Sequence, residues 1–136
     1  MEVPAAVEHV LETPLVSTYS ESEAYAATVN KLVFSEEGVT VHFQVQGDGS
    51  LGDLQGAESS TLSCGGVDSG ATISSVYAEN EPLKKAGSFT FKLSSEQPFG
   101  PLIFKYGESG YSEIVLLDLT EEFATTAGLT VYTWAQ

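Results

Sequence analysis

From residue 25 onward the chain reads apolar and polar in turn. The segment VTVHFQV (39–45) shows this most clearly. Val39, Val41, Phe43 and Val45 fall on one side of an extended chain, and Thr40, His42 and Gln44 on the other. A period of two with a single apolar face predicts a strand buried on one side and wet on the other. Such alternation belongs to antiparallel sheets, because parallel strands are buried on both faces. TVNKLVF (28–34) precedes it as a strand by its apolar and β-branched content. SEEG (35–38) between them suits a short hairpin loop, with Gly38 supplying a positive φ where the next strand begins.

The same reading extends down the chain. SFTFKL (88–93) alternates again, with Phe89, Phe91 and Leu93 inward, and PLIFKY (101–106) with SEIVLLDL (112–119) predicts a hairpin around GESGY. STLSC (60–64) and ATISSVYAE (71–79) are weaker strands on either side of the turn cluster GGVDSG, and NEPLKKAG (80–87) reads as a connection. TEEFATTAG (120–128) predicts one helical turn, capped by Thr120 with two acids in its first turn, and GLTVYTW (128–134) a last strand. Residues 4–12 hold Val7, Val10 and Leu11 at helical spacing, which allows one or two helical turns, but the segment reads first as a loosely held lead-in. Roughly seven to eight short strands, turn signals about every ten residues and almost no helix predict an all-β antiparallel sandwich. The expected organisation is a lead-in or linker over 1–22 and a single sandwich domain over 23–136.

Composition narrows the classes. A chain of 136 residues fits one domain. It has 19 acids and 5 lysines, no arginine, and a net charge of −14. That balance disfavours nucleic acid, whose phosphates are bound through Lys and Arg, and anionic membrane surfaces. It suits a soluble surface, or a surface for cations and basic partners. The single cysteine, Cys64, excludes an intrachain disulfide, and with two histidines the usual zinc-finger ligand set is not reached. No apolar run approaches the roughly 20 residues of a membrane span. The opening MEVPAAVEHVLE lacks the basic end and long apolar stretch of a signal peptide.

The run VNKLVFSEEGVTVHFQVQGD, then GSFTFKL, then PLIFKYGESGYSEIVLLDL, resembles immunoglobulin-like domains of unknown function in cell-surface and anti-sigma proteins of Gram-positive bacteria. The resemblance spans residues 25 to 119 and consists of core positions: a strand–turn–strand, a G-x-F-x-F-x-L strand and a closing hairpin. It implies an immunoglobulin-like sandwich, an extracellular or cell-surface setting, and an accessory or interaction role. It carries over no functional residue.

The candidate chemistry is sparse. QGDGSLGDLQG (46–56) departs from the EF-hand pattern at its third ligand. It reads as a flexible connection, with calcium on Asp48, Asp53 and Glu58 as the sharper alternative. Cys64 and His42 do not read as a nucleophile and its base, since nothing electropositive surrounds the thiol. The pairs Glu36–Glu37 and Glu121–Glu122 are adjacent residues that cannot straddle a scissile bond, and read as solvated charge. Lys31 and Asp118 read as a snorkelling lysine and a strand-end aspartate, not as partners in the Lys–Asp isopeptide bond of some Gram-positive surface domains. Tyr106, Tyr111, Tyr132 and Trp134 are the candidate ligand-binding aromatics; they read first as core residues with a polar tip, with a platform for sugar or peptide as the sharper alternative. The expectation is a monomeric, non-enzymatic interaction domain with a protein or glycan partner and no cofactor. The alternative is a small carbohydrate-binding module using those aromatics, with a structural calcium ion.

Overall fold

The computed structural model describes residues 5–18, 25–47, 61–78, 84–94, 96, 99–106 and 112–135. Eight strands run in chain order: β1 (Val7–Thr18), β2 (Tyr25–Ser35), β3 (Gly38–Gly47), β4 (Thr61–Cys64), β5 (Val67–Ala78), β6 (Lys84–Phe91), β7 (Gly100–Tyr106) and β8 (Ser112–Leu119). A short helix, α1 (Glu121–Thr126), and two 3₁₀ turns, Leu129–Val131 and Thr133–Ala135, follow. All strand pairs are antiparallel, in the order β1-β2-β3-β6-β5-β4-β7-β8. The expected all-β sandwich with little helix is what forms.

The two layers share β5. Its first part, Val67–Gly70, pairs with β4, and its second, Ala71–Ala78, pairs with β6 past an irregularity between Ala71 and Ile73. A strand that changes sheets at a bulge is the usual way to turn the corner of a sandwich. One layer is therefore β1-β2-β3-β6 and the other β4-β7-β8, with β5 joining them. On the opposite side, β1 and β8 approach until their Cα atoms lie within 8 Å.

Alternation does what the sequence predicts. Val39, Val41 and Phe43 of β3 and Phe89 and Phe91 of β6 point into the interlayer core, as does Leu93 just beyond β6. Leu62 and Phe104 meet them from the other layer. Phe43 stacks on Phe89 with centroids 5.0 Å apart, and Phe104 reaches Phe43, Phe89 and Phe91 at 6.2, 6.1 and 6.0 Å. Such aromatic pairs contribute about 0.5–1.5 kcal/mol beyond the area they bury.

Two expectations fail at the chain's ends. Residues 7–18, inside the stretch 1–22 read as a loose lead-in or linker, are an edge strand paired to β2. Helical spacing was misleading because β1 carries a bulge: Val10 pairs with Lys31 and Leu15 with Val29, so Leu11–Pro14 stand opposite Asn30 alone. Residues 128–134, read as a strand, are two 3₁₀ turns. The backbone closes on itself instead, with Tyr132 N donating to Leu129 O at 3.1 Å and Ala135 N to Tyr132 O at 3.1 Å. Leu129 and Tyr132 are buried three residues apart while Val131 is 54% exposed, the spacing of a 3₁₀ turn. Smaller differences are local. Val67–Gly70 belongs to β5, so the GGVDSG turn contracts to Gly65–Gly66, both at positive φ, and β6 begins at Lys84 within the expected connection.

The C-terminal segment closes one end of the sandwich. Thr120 caps α1, its hydroxyl accepting from Phe123 N at 3.0 Å, as expected. The Tyr132 hydroxyl lies 2.6 Å from Ala5 O and 2.9 Å from Phe34 O, so one proton bridges two carbonyls. Trp134 Nε1 donates to Ser35 O at 2.5 Å. Phe123 packs edge-on to His9 of β1 and against Phe34 of β2.

Candidate functional site

The outer face of the β1-β2-β3-β6 layer carries a groove of about 560 Å³, lined by residues of all four strands. Its geometry originates in one bulged residue. Val29, Leu32 and Phe34 all face the core, which a regular strand cannot do, because positions 29 and 32 have opposite parity. Asn30 absorbs the extra step: Val29 pairs with Phe43 and Lys31 with His42. The bulge leaves Asn30 and Lys31 both turned from the core, Lys31 alternating with Leu32, and lets Val29 keep its place inside.

Four register positions then align across the face. Val10 lies opposite Lys31, Lys31 opposite His42, and His42 opposite Ser88. Gln44 and Ala86 form the next row. Gly87 lines the groove between Ala86 and Ser88, and as the partner of core-facing Phe43 it contributes backbone only. Val10, 64% exposed, and Leu11 form an apolar wall. One row away Thr40 and Thr90 hydroxyls meet at 2.7 Å.

The groove's charge contrasts with that of the chain. Its described lining contains Lys31 and His42 and, among the described residues, no carboxylate. Glu8 reaches Lys31 Nζ from the rim at 3.5 Å, and the glutamate side chain is 61% exposed. Burial, and then the charge of Lys31, hold His42 below the ordinary histidine value of 6.5, against a smaller upward pull from Glu8. At neutral pH His42 is an uncharged imidazole with one donor and one acceptor nitrogen.

The residues singled out in the sequence are dispersed. Tyr132 is fully buried and Trp134 is 3% exposed, and their rings stack on each other at 5.7 Å. Their polar tips are spent on backbone carbonyls. The two are core residues and offer no sugar platform. Tyr106 ends β7, and its side chain, together with Tyr111, Asp48, Asp53 and Glu58, lies outside the described residues. Among the described residues no three His, Cys, Asp or Glu side chains gather as a metal site. Cys64 points into the core from β4, where burial pushes its thiol up to about 11, while His42 faces outward from the other layer. The core separates them. Glu36 is not simply solvated: Thr133 N donates to its oxygens at 3.2 and 3.1 Å, and Thr133 Oγ1 donates as well. Lys31 pairs with Glu8, and Asp118 is an exposed residue of β8.

Sequence reasoning missed the groove as a unit because its residues come from four strands. One signal was present. Two successive polar residues, Asn30 and Lys31, interrupt an otherwise apolar strand, which is how a bulge appears in sequence. Among the described residues no helix is long and apolar enough to cross a membrane. Compared with known proteins, the chain matches no family model, no curated protein and no solved structure.

Proposed function

We propose that the chain is a non-catalytic recognition domain of an extracytoplasmic bacterial protein, and that it takes a protein partner on the outer face of the β1-β2-β3-β6 layer. The observation that carries this reading is the groove around Lys31 and His42, whose volume lies within the range of binding pockets and whose lining mixes an apolar wall with convergent polar groups. The extracytoplasmic setting rests on the resemblance to immunoglobulin-like surface domains.

Two other modes receive less support. Adding a partner strand between β1 and β8 requires roughly 9.5 Å, twice the spacing of neighbouring strands, and these edges already approach within 8 Å. The carbohydrate-module reading loses Tyr132 and Trp134 to the core and keeps only the amides and hydroxyls of the groove.

The test is a random-peptide display selection run in parallel on the wild-type chain and on Ser88→Trp, which fills the groove from β6. A thermal melt establishes that the variant is folded. Peptides enriched on the wild type and not on the variant support the reading. Equal enrichment on both moves the partner site elsewhere, and failure of any peptide beside a positive glycan panel would favour the carbohydrate reading.

A further inference from the structure

Resting on that reading, we infer that the groove recognises a free carboxylate, and that its occupant is the C-terminal end of an extended peptide with a small apolar last residue. Several observations converge. Among the described lining residues the one formal charge is the Lys31 ammonium, which alternates with core-facing Leu32 and so stands on the outer face opposite His42. Its present partner, Glu8, is exposed and distant at 3.5 Å, so the ammonium can exchange one carboxylate for another without leaving its place. Neutral donors surround the same spot: the Asn30 amide, the Ser88 hydroxyl and the His42 ring. Ala86, with only a methyl group, lines the groove beside Gly87, and Val10 and Leu11 offer contact to one apolar side chain.

The whole molecule favours a single negative charge over several. A net charge of −14 opposes the approach of any anion, and opposes a phosphate more than a carboxylate. A peptide terminus brings one charge together with backbone and side-chain contacts that offset the repulsion, and capture of C-terminal carboxylates is an established recognition mode.

His42 supplies the readout. Among the described residues the charged groups acting on it are Lys31 from β2 and Glu8 from β1, while β6 presents Ala86, Gly87 and Ser88, none of which titrates. A carboxylate seated beside the ring favours the imidazolium, so binding raises the titration midpoint of His42 and strengthens as the pH falls. The other histidine, His9, packs against Phe123 and serves as an internal reference.

The experiment is an NMR titration of the imidazole signals of the full chain with N-acetyl-Ala-Val, and in parallel with its C-terminal amide. The free acid is expected to shift His42 and not His9, and to raise the His42 midpoint. The amide is expected to bind at least on the order of tenfold more weakly, the equivalent of one charge-assisted hydrogen bond. Lys31→Met, which keeps the aliphatic stem, is expected to abolish the difference between acid and amide. Glu8→Gln removes the competing carboxylate and is expected to tighten binding of the acid. If acid and amide shift His42 alike, the carboxylate inference is wrong and the recognition reading stands. If neither shifts it at millimolar concentration, the inference is also overturned, and the peptide selection decides the broader reading independently.

Discussion

Gly38 and Gly66 carry positive φ for different reasons. At Gly38, φ is +128° and an added Cβ would lie 1.9 Å from Phe91 O, so the β2–β3 turn is pressed against the end of β6. At Gly66, φ is +90° and nothing stands within 4 Å of an added Cβ. Gly38→Ala should therefore cost about 3 kcal/mol or more, through clash and backbone strain together. Gly66→Ala should cost about 1–2 kcal/mol from the left-handed backbone alone. Urea denaturation of the pair separates the two effects, and equal losses would contradict the close contact at Phe91. Tyr132 provides a second test at this scale. Its hydroxyl bridges Ala5 O and Phe34 O. Tyr132→Phe should destabilise by about 1–3 kcal/mol by leaving buried acceptors unmet.

At the scale of elements, α1 depends on its cap. Thr120→Ala removes the acceptor for Phe123 N and should lower stability by about 1 kcal/mol, visible as a shift of a few degrees in Tm. What could be read from the sequence follows from the same local physics. The β3 pattern was legible because Val39, Val41 and Phe43 face the core and Thr40, His42 and Gln44 the outer face, with no bulge within β3 to break the count. The edge strand β1 was not, since Leu11–Pro14 stand opposite a single residue and erase the period of two. The end of the chain misled in the opposite way. Leu-Thr-Val-Tyr-Thr-Trp has the composition of a strand, but Tyr132 and Trp134 bury their rings by turning back onto carbonyls of β2, a tertiary preference that no local pattern encodes. For the groove, Asn30 and Lys31 announced a bulge, while Ser88 and Val10 could join it only once the strand order was known.

For the whole molecule, charge and burial set the response to solution conditions. With a net charge of −14 the folded state repels itself, so Tm should rise as sodium chloride is raised toward several hundred millimolar, and a flat response would mean the acids are well spread. The alkaline limit has a different origin. Cys64 titrates at about 11 in the fold instead of 9, and Tyr132 is raised above its ordinary value of 10, chiefly by burial. Both groups are neutral when protonated. Their contribution is therefore complete below the unfolded values and is lost as the pH climbs through the folded ones. Stability should hold to about pH 9 and then fall, with Cys64 contributing up to about 1.4 kcal/mol per unit between 9 and 11. Cys64→Ala should flatten that first part of the decline in a series of urea melts.

The bridge from Tyr132 to Ala5 spans 127 residues, and those from Tyr132 to Phe34 and Trp134 to Ser35 span 98 and 99. A ribosome delivers β1 and the β2–β3 hairpin long before the segment that fastens them. During synthesis the first strands must wait as an unfinished edge, and the final fastening can form only after residue 134 has left the exit tunnel. Contacts this distant in sequence are entropically costly to close and slow to form. Nascent chains stalled at successive lengths should thus stay protease-sensitive at β1 until the Tyr132–Trp134 segment emerges, and then become resistant over a short increment of length. Maturation of the domain would be timed by its last segment, whatever the order in which its strands are made.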